Sequence, residues 1–190
     1  MSESGGTEED IKIRIGKANN AFIALRNIWN SNSISQKTKL RLFKSNILSI
    51  LLFGCESWKV TSTITHKLQT FVNRCLRKIL KIHWPDTISN ADLWSQTEIK
   101  PIELVVKQRK WRWIGHTLRK PNTNIAKEAL EWNPQGKRKR GRSATTWRRS
   151  VMAEARQLNK TWSELKEESK NRVRWRQVVA ALCSERNGIG

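Results

Sequence analysis

Between Ile11 and Trp29 the apolar residues Ile11, Ile15, Ala18, Phe22, Leu25 and Trp29 recur every three or four positions. That spacing keeps one face of a helix buried over about five turns. No segment alternates apolar and polar residues as a half-buried strand does, so the chain is predicted to be all-α. Thr7-Glu8-Glu9-Asp10 reads as an N-cap followed by an acidic first turn that suits the helix dipole, and Asn30 to Asn32 end the helix. Ser33-Ile34-Ser35-Gln36 has a capping form, and Leu40, Phe43, Ile47, Leu51 and Gly54 supply the next stripe. A third helix, Thr63 to Ile82, buries Leu68, Phe71, Val72, Cys75 and Ile79 and sets Lys67, Arg74, Lys78 and Lys81 along a neighbouring face. Trp84-Pro85-Asp86 breaks the pattern, because proline disfavours the helical conformation in the residue before it; a boundary is expected there.

Beyond it, Pro101 suits the first turn of a helix running to about Arg119, with one stripe through Leu104, Trp111, Ile114 and Leu118 and another through Ile102, Val106 and Trp113. Residues 121 to 144 carry Pro121, Pro134, Gly136 and Gly141 and read as loop, apart from a short turn at Ile125 to Leu130. Two closing helices follow. Trp147, Val151, Ala155 and Leu158 mark one; the other opens on a capping box, Thr161 to Glu164, and buries Trp175, Val178, Val179 and Leu182. The predicted organisation is a flexible 1–6, a helical bundle over 7–82, a linker with a short helix over 83–100, a basic helical region over 101–184 containing the loop 121–144, and a flexible tail, 185–190. The 190 residues, 37% hydrophobic, suffice for one ordinary core or two small ones. The longest apolar stretch, Ile47 to Phe53, falls far short of the ~18 residues of a membrane span. A polar, acidic amino terminus is unlike a secretory signal, and three widely spaced cysteines frame neither disulfides nor a metal clip. An intracellular protein with no membrane association is expected.

Charge then narrows the partners. The chain holds 37 Lys+Arg against 16 Asp+Glu, a net +21, and residues 101–190 alone hold 22 against 8. Such an excess favours a polyanion. Its densest part, Lys137-Arg138-Lys139-Arg140-Gly141-Arg142, follows Gly136 and contains Gly141, and it cannot bury itself. Three readings suit it: a nuclear-import-like cluster, a minor-groove arm built on Arg140-Gly141-Arg142, or a solvated charge run. Ser143, where such an arm usually continues with proline, weakens the second. Arg109-Lys110-Trp111-Arg112-Trp113 interleaves cations with rings, a pattern able to grip a backbone and stack bases, although both tryptophans also lie on apolar stripes and suit a core.

Catalytic signals are poor. Asp10, Asp86 and Asp92 are scattered, whereas nucleases and polymerases cluster carboxylates around two metal ions. His66, His83 and His116 with Cys55, Cys75 and Cys183 match no zinc or nucleophile spacing, and no phosphate-cradling glycine loop occurs. No catalytic residue, metal site or cofactor is predicted.

The order of segments DIKIRIGKANNAFIALRNIWNS, TKLRLFKSNILSILLFGCESW, LRKILKIHWPDTIS, KWRWIGHTLRKP, ALEWNPQGKRKRGRS and RVRWRQVVAALC resembles the carboxy-terminal portion of LINE-type, non-long-terminal-repeat retrotransposon reverse transcriptases, close to the RTE-like clade. In that family the polymerase palm, with its paired-aspartate turn, and the endonuclease lie upstream of the matched region; this chain has no tyrosine and no consecutive aspartates. The resemblance implies that residues 7–82 are a thumb-like bundle holding template and primer and that the rest is a downstream nucleic-acid-binding region. It implies a truncated element copy, or a reading frame opened inside one, that is no enzyme by itself. The implied partners are RNA, DNA or an RNA–DNA hybrid, with the palm and endonuclease portion of the same element as a further one, in a nuclear location. Lys67, Arg74, Lys78, Lys81, Arg109, Arg112, Lys137, Arg138, Lys139, Arg140, Arg142, Arg148 and Arg149 are the expected nucleic-acid contacts. The competing expectations are a polymerase completed in trans by a palm and an inert transposon remnant.

Overall fold

A computed structural model describes residues 6–131 and 147–184, and among these the secondary structure is helical with no strand. The chain is all-α. It divides into two compact units, residues 1–55 with 60–105 and residues 56–59 with 106–190.

The first unit is built from α1 (Thr7–Ala24), α2 (Arg26–Asn30), α3 (Gln36–Leu42), a π-turn (Phe43–Ile47), α4 (Leu48–Leu51), α5 (Ser62–Leu80) and α6 (Asn90–Thr97). Gly6, not Thr7, is the N-cap of α1; it offers no side-chain bond, and the acids Glu8, Glu9 and Asp10 occupy the first turn. The single helix expected through Trp29 is instead two, because Leu25 leaves helical geometry (φ −92°, ψ 15°). The kink serves the core. Trp29 folds back so that its indole donates to the Phe22 carbonyl at 2.7 Å and its ring stacks on Phe22 at 5.1 Å. Ile11, Ala18, Phe22 and Trp29 of the predicted stripe are buried.

The second stripe also bends from its expected course. The π-turn inserts an extra residue into the helical register, which lets Phe43, Ile47, Leu48, Leu51 and Leu52 all face the core. Ser35 caps α3 by accepting from the Thr38 amide. Lys39, placed on α3 beside buried Leu40, is itself only 5% exposed. Its ammonium donates to the carbonyls of Trp29 (2.8 Å) and Ser31 (2.6 Å) at the end of α2, where a cation complements the helix dipole.

Helix α5 starts one residue earlier than expected, capped by Thr61, and buries Ile64, Leu68, Phe71, Val72, Cys75, Leu76 and Ile79. It ends not at the proline but at Lys81, which takes the left-handed conformation (φ 60°) while the Ile82 amide reaches back to the Arg77 carbonyl. This six-to-one closure usually employs glycine. Residues 84–86 lie beyond it in a loop containing a cis Trp84-Pro85 bond, and α6, capped by Ser89, packs on α5 within the same unit.

Burial raises the Cys75 thiol from an ordinary 9.0 to about 12, with Arg74 and Lys78 only partly offsetting it. The folded chain therefore keeps a proton that the unfolded chain sheds. Stability from this thiol is intact below pH 9 and falls by about 1.4 kcal/mol per pH unit as pH rises from 9 toward 12. Urea midpoints at pH 8 and 10 should thus show a loss that Cys75→Ala reduces; equal losses for the two proteins would contradict it. The absence of tyrosine removes one competing alkaline titration.

In the second unit, α7 (Ile102–Leu118, of which residues from 106 onward belong here), α8 (Ile125–Glu131), α9 (Trp147–Gln157), α10 (Trp162–Lys170) and α11 (Arg172–Leu182) enclose Trp111, Ile114, Leu118, Leu130, Val151, Ala155, Leu165, Trp175, Val178, Val179 and Leu182. The Thr161 and Glu164 capping box forms in both directions, and the Thr161 backbone amide holds the Glu164 carboxyl below its ordinary range. The single last helix expected from there is broken. Asn171 turns extended, and its side chain caps α11 by accepting from the Val173 and Arg174 amides at 2.8 and 3.2 Å.

Candidate nucleic-acid interface

The four predicted cations Lys67, Arg74, Lys78 and Lys81 are exposed; the three on α5 fall within about 40° of one another at 3.6 residues per turn, while Lys81 stands just past the helix end in the left-handed conformation. They do not open onto one groove. Lys67 lines a cleft with Glu8, Glu9 and Lys12, where two carboxylates temper its potential. Arg74 and Lys78 line a separate groove of about 430 Å³ with Thr70, Asn73, Arg77, Ile82 and Asn90, and none of these lining residues is acidic.

A polar network sets the geometry of that groove. Asn73 is 5% exposed in the middle of an otherwise apolar helix face. Its carbonyl oxygen accepts from Gln69 Nε2 (2.8 Å) and from the Trp94 indole (2.9 Å), and its amide donates to Asn90 Oδ1 at 3.0 Å. Asn90 Oδ1 also accepts from Arg77 Nη2 at 2.8 Å, while the same guanidinium nitrogen donates to the Ile88 carbonyl at 3.3 Å. Gln69 Oε1 accepts from the Ile102 amide at 2.8 Å. The network thus holds α5, α6 and the loop before α6 in one arrangement and holds Arg77 at the groove wall. Arg77 escaped the sequence reading, because it lies off the row that spacing defines; its only signal was a cation one turn from Arg74. Arg74 stands over the Phe71 ring at 5.7 Å and donates to Asn19, and Lys81 donates to Asn32. These bonds orient cations on short polar partners that leave the charge uncancelled.

In the second unit the interleaved Arg109 to Trp113 stretch resolves into separate roles. Trp111 is fully buried and Trp113 packs edge-on against Trp147 at 6.0 Å, so these rings serve the core. Lys110 is buried at 4% exposure and pairs with Glu154 Oε1 at 2.6 Å, while the Trp111 indole donates to Glu154 Oε2 at 2.5 Å. Arg112 is exposed and Arg109 half-buried. Arg148 donates to the Glu131 carbonyl at the end of α8 at 3.1 Å, and Arg149 is exposed. Trp147 is fixed by donating to the Glu56 carbonyl at 2.8 Å. Lys137, Arg138, Lys139, Arg140 and Arg142 lie outside the described residues. Among the described residues no three His, Cys, Asp or Glu side chains come together to hold a metal ion, and no helix is long and apolar enough to cross a membrane.

Residues 21–53, from the last turn of α1 to two residues past α4, match the family described as Domain of unknown function (DUF6451). An uncharacterized transposon-derived protein of Caenorhabditis elegans is 24% identical over 170 residues, a match covering 84% of this chain and 60% of that protein. The chain thus spans less than two thirds of its relative's length. No solved structure matches it.

Proposed function

We propose that this chain is the strand-holding, nucleic-acid-binding part of a transposon-encoded protein, corresponding to the thumb and downstream region of a LINE-type reverse transcriptase. One observation carries the reading: Arg74, Arg77 and Lys78 converge on a groove with no acidic lining residue, and a buried amide network holds one of them in place. Phosphate diesters suit such a groove because arginine presents several donors to their oxygens and pays little orientational entropy when already held. The net charge of +21 supplies long-range attraction, and the transposon-derived relative supports the origin. In this reading Lys67 and Lys81 are further contacts within the first unit, and Arg109, Arg112, Arg148, Arg149 and the run from Lys137 to Arg142 are contacts made separately by the rest of the chain. The substrate class is RNA, DNA or their hybrid, held by its backbone without strong base preference.

Binding to a mixed-sequence RNA–DNA hybrid should weaken with salt at a slope in log–log form of about −0.9 per phosphate contact. Replacing Arg74, Arg77 and Lys78 together by glutamine should reduce the slope by about 3 × 0.9. A flat salt dependence for the natural protein would sink the proposal.

A further inference from the structure

Trp84 is 91% exposed, whereas among the described residues Trp29, Trp58, Trp111 and Trp175 are buried and Trp94, Trp113, Trp147 and Trp162 are half-buried. A freely solvated indole is an unusual expense for a folded chain, since tryptophan normally hides most of its large apolar surface. Its loop also holds His83 and Asp86, and a basic groove lies next to it along the chain. Ile82, two residues earlier, lines the groove that holds Arg74, Arg77 and Lys78, so at most about 7 Å of extended backbone separates the two positions. The loop bearing Trp84 is held at both ends: the Ile82 amide donates to the Arg77 carbonyl at 3.0 Å, and Arg77 donates to the Ile88 carbonyl at 3.3 Å. Within it, the Asp86 amide donates to the His83 carbonyl at 2.8 Å. A pinned loop thus displays a large exposed ring two residues along the chain from the wall of a cationic groove.

We infer that Trp84 is a stacking platform for an unpaired base, so that the groove takes single-stranded nucleic acid, or a strand end, in preference to uninterrupted duplex. This rests on the nucleic-acid reading above and adds the form of the strand. The two features are complementary: Arg74, Arg77 and Lys78 neutralise the backbone, and the indole receives the π-face of a base splayed from it. A blunt duplex offers phosphates but keeps its bases stacked on each other, so the ring gains nothing from it. Stacking on an aromatic side chain is tolerant of base identity, which fits a protein that must hold whatever sequence it meets.

The test compares the natural protein, Trp84→Ala and Trp84→Phe by fluorescence anisotropy. The probes are a mixed-sequence RNA single strand of about twelve nucleotides, within the usual span of single-strand sites, and a blunt duplex of the same length, each across a salt series. Trp84→Ala should weaken single-strand binding roughly 5- to 150-fold, leave duplex affinity unchanged and leave both salt slopes intact, because a ring and no charge is removed. Trp84→Phe should restore most of the loss. Unchanged single-strand affinity, or an equal loss on both forms, overturns the inference while the salt slopes of the natural protein uphold the broader reading. Failure of the natural protein to bind either form, or flat salt dependence, overturns both. Thermal unfolding of Trp84→Ala should match the natural protein, since the side chain is so exposed.

Discussion

Gly115→Ala should abolish the native packing of the second unit. A methyl group at residue 115 would sit 1.9 Å from Nε1 of Trp175 and 2.3 Å from its Cε2, inside the ring itself. Trp175 cannot step aside cheaply, because it is 3% exposed, lies against Trp111 at 6.0 Å and donates its indole hydrogen to the Trp111 carbonyl at 3.0 Å. Overpacking a dense core costs about 1–3 kcal/mol and a buried donor left without an acceptor about 1–3 more. The sum, about 4 kcal/mol, is a large fraction of a small domain's stability. Near-ultraviolet circular dichroism of the tryptophans and chemical denaturation should show a lost or strongly weakened transition. A variant that unfolds within about 1 kcal/mol of the natural protein would show that the contact can relax. Gly115 is constrained by this close approach, not by its backbone angles, and Gly16, with nothing near it, offers the matched control.

The second large effect is expected at Glu154, whose two oxygens take Lys110 and the Trp111 indole. Glu154→Ala strands an ammonium that is 4% exposed and also removes the acceptor of a buried indole. Breaking a buried pair from one side costs about 3–5 kcal/mol, because the remaining charge keeps its desolvation penalty without its partner. Lys110→Met should be milder, since Glu154, with 18% of its side chain exposed, retains contact with water and with Trp111. Combining Lys110→Met with Glu154→Leu should recover much of the loss, the residue being the unpaired indole. If the double variant were less stable than Glu154→Ala, the account of a stranded charge would be wrong. Denaturant midpoints of the four proteins decide it.

These two sites illustrate how sequence and structure divide the information. Helix positions were legible, because a 3.6-residue period of apolar side chains survives translation into a buried face; Ile11, Ala18, Phe22 and Trp29 of the first stripe and the predicted stripe of α5 lie in the core. Local capping was legible where a side chain bonds its own neighbourhood, as at Thr161 and Glu164. The break at Leu25 and the π-turn at Phe43–Ile47 were not, since each answers the shape of the surrounding core and no proline or glycine announces it, whereas Asn171, whose side chain caps α11 within its own neighbourhood, carried a local signal for the break there. The row of cations on α5 was readable as a face. Its partition between a cleft with Glu8 and Glu9 and a groove with Arg77 depends on which helices pack beside it.

Composition and periodicity alone therefore determined that the chain is helical, that it is strongly basic, and which faces are apolar, because these properties belong to residues and to spacings within one helix. Only the tertiary structure decided that Lys39 and Lys110 are buried while Arg112 is exposed, that Asn73 ties α5 to α6, and that Trp84 stands in solvent while Trp111 does not. A lysine or tryptophan carries no local mark of its surroundings: its energy is set by partners many residues away, such as the carboxylate 44 positions from Lys110, that meet it only once the helices have packed.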